Sequence, residues 1–190
     1  AKIYNVLNIQ TIAYMDYIIR LYRDNYNIDL NPCGIFYFTI SKPIIKNKKN
    51  IDLIKETEKY YRYSGFIIND IKKINLIDKN ILNNGNGSSI SLKINKDGEI
   101  SKVNSLESIL SENEFSDILE FVHESVKDKI MEIYDGNIEV CPVLDDINQS
   151  RCSYCNYVGI CKFTKKTNKF RIINELDKDL FFNLIRKGNN

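Results

Sequence analysis

The sequence has few of the features that identify an enzyme or a membrane protein at first sight. It contains one histidine, His123, and no apolar run close to the ~20 residues that a membrane-spanning helix needs. It has no glycine-rich phosphate loop and no serine or cysteine nucleophile motif with a supporting histidine. We therefore expect no membrane-spanning segment, and the residues alone indicate a binding or structural role.

Carboxylates with metal-binding spacing are also absent from any predicted strand-turn-strand frame. The adjacent Asp145 and Asp146 are more typical of a solvated turn than of a metal site. The net charge of +2 does not by itself indicate a nucleic-acid partner.

Composition predicts a soluble globular protein. The 190 residues are 43% hydrophobic, and a chain of this length can bury roughly 70% of its unfolded surface. The first residues do not resemble a signal peptide, and the five cysteines suit a metal site in a reducing cytoplasm better than a disulfide framework. The chain begins with Ala1 inside a predicted helix, so we expect it to be a piece of a longer protein.

The most informative motif is the cysteine loop, residues 151–163. Cys152, Cys155 and Cys161 have the spacing C-x2-C-x5-C, which lets three thiolates reach one metal centre. Zinc sites and iron–sulfur clusters normally take four protein ligands, so the fourth lies elsewhere in the chain or outside it. Three ordinary buried cysteines are one alternative, and a zinc site completed by Cys141 or His123 is another. His123, at the edge of a predicted apolar helix face, is expected to be structural.

Apolar residues at three- and four-residue intervals predict an amphipathic helix from about residue 3 to 24. Its inward stripe is expected to contain Val6, Leu7, Gln10, Ala13, Tyr14, Tyr17, Ile18 and Leu21. Gln10 interrupts this stripe, and a buried amide needs hydrogen-bond partners. Tyr14, one turn later, lies on the same side. A buried strand is then predicted over residues 34–40, which indicates α/β layers.

Residues 41–63 combine six lysines with the aromatic run Tyr60, Tyr61 and Tyr63. A charged surface excursion is the simpler interpretation. The alternative is a DNA-facing arm, in which lysines contact phosphates and tyrosines stack on bases. After a short apolar piece, the Asn- and Gly-rich residues 83–89 are expected to form a mobile loop.

Local signals are strongest in the second half of the chain. Asp97 and Gly98 predict a tight β-hairpin turn between residues 90–94 and 99–103. Ser111 and Glu114 form a capping box that starts a helix, and Gly136 ends it. The inward face of this helix is expected to contain Phe115, Ile118, Leu119, Val122, Val126, Ile130 and Ile133. The inward residues of a last helix, over residues 174–187, are expected to be Leu176, Leu180, Phe181, Leu184 and Ile185.

Several of these motifs, taken in order, resemble a known family. They are Gln10-Thr11-Ile12-Ala13-Tyr14, Gly34-Ile35-Phe36-Tyr37-Phe38, Ser64-Gly65-Phe66, Lys96-Asp97-Gly98, Leu110-Ser111-Glu112-Asn113-Glu114-Phe115, Asp135-Gly136-Asn137-Ile138 and the cysteine loop. Over nearly the whole chain the sequence resembles the carboxy-terminal portion of AddB, one of the two subunits of bacterial ATP-dependent helicase/deoxyribonucleases.

The resemblance implies an α/β fold, a truncated PD-(D/E)xK (restriction-endonuclease-like) nuclease domain of the RecB type with a C-terminal cysteine loop for an iron–sulfur cluster. Residues 1–190 would form the C-terminal part of that domain. Residues 1–40 would supply a helix and a strand of the nuclease core, and residues 41–110 an insertion and a hairpin. Residues 111–190 would supply a helix, the cysteine loop and a terminal helix.

The resemblance also implies a catalytic role. In this family a Q-x-x-x-Y helix supports a nuclease site whose carboxylates and lysine hold Mg2+. Gln10 and Tyr14 match that helix as supporting catalytic residues, and the carboxylates and lysine themselves are expected upstream of Ala1. The chain by itself is therefore expected to lack nuclease activity.

A [4Fe-4S] cluster is implied as a second cofactor. Cys152, Cys155 and Cys161 match three of its four ligands in the family, and the fourth is expected far upstream. The cluster is accordingly expected to be incomplete or absent in this chain alone. The loop would then be ordered by packing of its aromatic residues, or by another metal. These aromatic residues are Tyr154, Tyr157 and Phe163. Cys141 departs from the family pattern.

The implied partners are DNA and an AddA-like helicase-nuclease subunit, in a heterodimer that uses ATP and resects double-strand breaks for recombinational repair. A stand-alone RecB-like exonuclease of the CRISPR-associated kind, with a similar cysteine arrangement, is a competing interpretation. A zinc-stabilised binding module is the third.

Overall fold

A computed structural model describes residues 3, 7–43, 52–102, 106–144, 151–164, 166, 168–173 and 175–188. The elements in chain order are α1 (Gln10–Tyr26), β1 (Gly34–Tyr37), α2 (Leu53–Tyr60), β2 (Ser64–Ile68), α3 (Ile71–Ile77), α4 (Asn80–Asn84), β3 (Leu92–Ile94), β4 (Ile100–Lys102), β5 (Leu106–Leu110), α5 (Glu112–Tyr134), β6 (Val143–Leu144), a 3-10 turn (Arg151–Tyr154), α6 (Val158–Cys161), β7 (Arg171–Ile172) and α7 (Lys178–Gly188).

The chain divides into two compact units, and the boundaries fall within α1 and α5. The central unit is residues 22–116, and the terminal unit comprises residues 1–21 and 117–190. This mixed content of helices and small sheets agrees with the predicted α/β class. No helix within the described ranges is long and apolar enough to cross a bilayer.

A three-stranded sheet organises the central unit. Its order is β1-β2-β5, with β1 antiparallel to β2 and β2 parallel to β5. The strand predicted over residues 34–40 is present but ends at Tyr37. Five buried residues form the core of this unit. They are Ile67, Ile74, Ile81, Ile90 and Leu92.

The hairpin predicted around Asp97 and Gly98 is confirmed. Strands β3 and β4 pair antiparallel, with Ile94 opposite Ile100, and Gly98 has a φ of 80°. A positive φ at this position is what a tight hairpin turn demands, and glycine adopts it without a steric cost. The local signal therefore identified both strands and their connection.

Asp78 anchors the segment that the sequence suggested would be a mobile loop. Its buried carboxylate accepts hydrogen bonds from the backbone N–H of Ser89 at 2.7 Å and of Ile90 at 3.3 Å. The hydroxyl of Ser88 donates to it at 3.1 Å, and the backbone N–H of Asn80 at 3.2 Å. Residues 85–91, called the Asp78 loop below, are therefore fastened from inside the unit.

Helices α5 and α7 pack together in the terminal unit. The capping box of α5 is confirmed, because Ser111 and Glu114 exchange hydrogen bonds at 2.7 and 3.1 Å. Phe121 lies edge-to-face with Phe181 at a centroid distance of 6.4 Å. Arg186 binds Asp117 at 2.7 Å.

The predicted inward faces of these two helices are only partly right. Ile118 and Val122 are buried on α5, but Ile130 and Ile133 near its end are exposed. On α7 the buried residues are Phe181, Phe182 and Ile185, whereas Leu180 is 45% exposed. Periodicity marks an apolar stripe, but only the length and position of the partner element decide how much of that stripe is covered.

Candidate functional site

Gln10 and Tyr14 lie together at the beginning of α1. Gln10 is the first helical residue, and its Nε2 donates a hydrogen bond of 2.7 Å to the hydroxyl oxygen of Tyr14. Both side chains are exposed, and Tyr14 keeps 60% of its surface accessible. The two polar groups are thus already paired in the isolated chain, on a surface that a ligand or a further part of the protein can reach.

The buried face of α1 is not the face that periodicity predicted. The buried residues are Ile12 and Asp16, whereas Tyr17 is 63% exposed and Ile18 is 46% exposed. The helix begins at Gln10, and residues 4–6 of the predicted stripe lie outside the described part of the chain. The prediction of Gln10 as a buried amide within an inward stripe is therefore wrong.

Asp16 explains which face of α1 is buried. Its carboxylate accepts hydrogen bonds from Nε of Arg20 at 2.8 and 3.0 Å and lies 2.9 Å from Nδ1 of His123 on α5. Arg20 also donates to Glu120 at 2.9 Å. These charge-assisted contacts compensate the buried carboxylate for the water it has lost. The hydrogen bond to Asp16, which outweighs the opposing effect of burial, raises the pKa of the Arg20 guanidinium.

This network places His123 as a link between α5 and α1, in agreement with its structural interpretation. Sequence reasoning missed Asp16. The available signal was its spacing of four residues from Arg20, which puts the two on one helix face. That signal could not show that the pair points inward, because the partners Glu120 and His123 are more than 100 residues away in the chain.

Short backbone turns shape the cysteine loop. The N–H of Cys155 donates to the carbonyl of Cys152 at 3.2 Å, and the N–H of Cys161 donates to the carbonyl of Tyr157 at 2.8 Å. Lys162 then ends α6 with a positive φ of 52°. Cys152 is half-buried, whereas Cys155 and Cys161 are exposed.

The donor chemistry of the loop fits a thiolate-bound metal cluster. All five cysteines of the chain are described, and each carries a thiol rather than a disulfide. The side-chain arrangement does not complete a site, since no group of three or more His, Cys, Asp or Glu residues among those described is placed to hold a metal ion. Cys141 is exposed, and His123 is paired with Asp16, so neither completes a site here. Asp145 and Asp146 lie outside the described residues.

The base of the cysteine loop is closed by a feature that the sequence did not predict. Strands β6 and β7 pair in parallel, and the N–H of Arg171 donates to the carbonyl of Pro142 at 2.9 Å. Inside this closure Phe163 packs on Phe170 at a centroid distance of 4.7 Å. Tyr154 and Tyr157, expected to pack as well, are 89% and 69% exposed.

Curated relatives match the chain over nearly its full length. A protein from Thermoanaerobacter sp. (strain X514) is 33% identical over 186 residues, which cover 95% of this chain and 16% of the relative. One from Alkaliphilus oremlandii is 32% identical over 194 residues, covering 100% of this chain and 16% of the relative. One from Bacillus thuringiensis is 28% identical over 182 residues, covering 92% and 15%. Each is named as the AddB-type subunit of an ATP-dependent helicase/deoxyribonuclease.

The chain belongs to the AddB family. It matches a C-terminal part of these longer proteins, and it spans about 16% of the length of the relatives. The family resemblance drawn from the motifs is thereby confirmed. No model of a protein family matches the chain.

This member of the AddB family thus presents two candidate sites with different degrees of assembly. Gln10 and Tyr14 are brought together by one turn of helix. The three cysteines share a loop but do not converge within the described residues.

Proposed function

We propose that this chain is the C-terminal part of the nuclease domain of an AddB-type helicase/deoxyribonuclease subunit. The observation that carries the proposal is the similarity to AddB proteins over 95% of the chain, together with an exposed Gln10–Tyr14 pair at the start of a helix. The parent protein would cleave DNA during resection of double-strand breaks for recombinational repair. It would act in complex with an AddA-like helicase-nuclease subunit.

Gln10 and Tyr14 have a supporting role in this proposal. The carboxylates and lysine that hold Mg2+ belong to the part of the parent that precedes this chain, and Mg2+ there would activate water and neutralise charge on the phosphate. The Gln10 amide is held by Tyr14 at 2.7 Å and still exposes further hydrogen-bonding capacity. It is therefore positioned to brace a neighbouring lysine, carboxylate or DNA phosphate.

The exposed face of α1 supports this arrangement. Tyr14 and Tyr17 are each about 60% exposed, and Ile18 is 46% exposed, so the helix presents an aromatic and aliphatic surface next to the Gln10 amide. The opposite face is already committed to Asp16 and its partners. In the proposal the preceding part of the nuclease domain covers this exposed face.

The cysteine loop would hold a [4Fe-4S] cluster through Cys152, Cys155 and Cys161, with a fourth cysteine from the preceding part of the parent. The cluster would act as a structural staple that closes a long loop of chain, where the entropy saved is largest in principle. The exposed thiols of Cys155 and Cys161 leave room for such a ligand from outside the loop.

The test uses the full-length protein with its helicase-nuclease partner, linear duplex DNA, ATP and Mg2+. Gln10→Leu should lower the cleavage rate by about 10-fold or more, the scale expected for a residue that orients a metal-site ligand. Tyr14→Phe, which removes the hydroxyl that Gln10 binds, should lower it less. Asn25→Leu, which replaces an exposed amide near the other end of α1, is the matched control and should cleave at the wild-type rate. Wild-type cleavage by Gln10→Leu would contradict the proposed role.

A further inference from the structure

A cavity in the central unit has no part in the sites described so far. It has a volume of about 530 Å3, within the usual range of small-molecule sites. Every lining residue is described, and all lie in the central unit. They are Phe38, Thr57, Glu58, Tyr61, Arg62, Tyr63, Ser88 and Ser89.

Aromatic rings form one wall of this cavity. Phe38 and Tyr61 are stacked, with ring centroids 5.8 Å apart and planes inclined by 23°. Tyr63 lies 5.8 Å from Phe38 at a steeper angle, and Tyr60 meets Tyr61 edge-on at 5.4 Å. Phe38 is 54% exposed although the rings around it are large and apolar. This wall offers a flat face on which another planar ring can stack.

Two opposite charges sit in the same cavity. Arg62 contributes a guanidinium whose Nε is buried and has no hydrogen-bond partner. Such a buried donor costs free energy, and a group that re-forms hydrogen bonds with the guanidinium would recover part of it. Glu58 contributes a carboxylate, which accepts hydrogen bonds and repels anions.

The opposite wall is anchored from inside the unit. Ser88 and Ser89 are held by the buried carboxylate of Asp78 at 3.1 and 2.7 Å. The N–H of Tyr63 donates to the carbonyl of Ser89 at 2.9 Å, which ties this wall to the aromatic one. The cavity is thus built on fixed backbone, and a ligand need not order it.

We propose that this cavity binds an unpaired nucleobase. A planar base stacks on aromatic rings whatever its sequence. Its ring nitrogens and carbonyl oxygens accept from a guanidinium, and its amino group donates to a carboxylate. A phosphate alone would be opposed by Glu58, and a purely apolar ligand would leave the charges of Glu58 and Arg62 without partners. Guanine fits best because it presents both N7 and O6 acceptors and an amino donor.

This proposal rests on the DNA-processing role proposed above, and it assigns a strand contact to the central unit. The base can come from a single strand passing over the unit or from a nucleotide in solution. Both sources present the same base to the same residues, so the experiment must separate them.

The test measures binding of fluorescent strands to the full-length protein in EDTA, by anisotropy. One strand is entirely abasic, and the other is the same strand with a single guanine, so contacts to the sugar-phosphate chain cancel in the ratio of their Kd values. The wild-type protein should bind the guanine strand about 5-fold or more tightly, as expected for one stacked base. Tyr61→Ala should reduce that ratio to about 1, whereas Tyr61→Phe should retain it.

Phe38→Leu guards against a folding defect in Tyr61→Ala, because Phe38 is 54% exposed and leucine keeps an apolar side chain there. It should also lower the ratio. Tyr134→Ala removes a tyrosine that is 83% exposed outside the cavity and should leave the ratio unchanged. Competition by dGMP, if it is abolished in Phe38→Leu, would assign the site to a nucleotide in solution and would support the base proposal equally.

A wild-type ratio near 1 with no dGMP competition would overturn the proposal. A ratio unaffected by both Tyr61→Ala and Phe38→Leu would overturn it as well. Cleavage of linear duplex is measured on the same preparations with Mg2+. Cleavage that persists without a base preference sinks the cavity proposal and leaves the nuclease function standing. A base preference in a protein that does not cleave has the opposite meaning.

Discussion

The Asp78 loop and the cysteine loop are held in opposite ways. The Asp78 loop looks unstructured in sequence, but it is fastened by a carboxylate at its centre that is only 2% exposed. The cysteine loop looks like the best-defined site in the sequence, but two of its three thiols are exposed and its contacts are mostly short backbone turns. Loop order therefore depends on where the anchor comes from. One anchor is supplied by the chain itself, and we propose that the other is supplied by a cluster.

The pKa of Asp78 reflects this internal anchor. Burial alone would raise the pKa of the carboxyl group, but the hydrogen bonds from Ser89, Ile90, Ser88 and Asn80 favour the charged form and lower the pKa overall. The charged carboxylate is thus the form that the folded loop selects.

Removal of that anchor should give the largest effect. Asp78→Ala leaves several buried donors without an acceptor, so the local free energy of unfolding should fall by about 3 kcal/mol. Hydrogen exchange of the peptide covering residues 86–92 should then be about 100-fold faster, measured by mass spectrometry on the full-length protein. Asp97→Ala, at the tip of the hairpin, is the matched control. Equal exchange in the two variants would show that Asp78 does not hold the loop.

Gly87 and Gly159 separate the two loops by a second criterion. A Cβ on Gly87 would lie 2.3 Å from the carbonyl oxygen of Ile90, whereas a Cβ on Gly159 would meet nothing within 4 Å. Gly87→Ala should therefore cost about 2 kcal/mol, as expected for a forced backbone shift. Gly159→Ala, in α6, should be neutral or slightly stabilising. Thermal unfolding of both variants checks this, and a tolerated Gly87→Ala would mean that the Asp78 loop adapts easily.

The pH dependence of the Asp78 loop should follow its lowered pKa. A carboxyl group with a folded pKa below its unfolded value of about 3.9 adds stability that is complete above that value and is lost as the pH falls through the folded pKa. Exchange protection of residues 86–92 should thus decline below about pH 4 in wild type. Asp78→Asn, already less protected at neutral pH, should show a smaller decline. A parallel decline in both proteins would assign the acid sensitivity to other groups.

The sequence predicted those parts of the fold that depend on neighbouring residues. Asp97 with Gly98, and Ser111 with Glu114, each specify a turn or a cap within four positions. It failed where the deciding partner is distant, as for Asp16 with His123 and for the closure of the cysteine loop by β6 and β7. The candidate residues could be read from spacing, but whether they face inward or outward could not, because that depends on long-range packing.

Gln10→Leu should have the smallest effect on stability. The amide is exposed, so leucine removes one exposed hydrogen bond to Tyr14, and the change should stay within about 0.5 kcal/mol. Hydrogen exchange of α1 is the measurement, with Asn25→Leu as control. A loss several times larger would return Gln10 to a structural role and would weaken the case for its part in cleavage.

The metal content of the cysteine loop tests the central comparison most directly. The full-length protein, purified without oxygen, should contain about four iron and four sulfide ions per chain, as a [4Fe-4S] cluster requires. Cys155→Ser should lose this iron and expose the cysteine loop to proteolysis, whereas Cys141→Ser should retain both the iron and the resistance. Stoichiometric zinc in colourless protein, or a loop equally resistant with and without metal, would contradict the account of a loop anchored by a cluster.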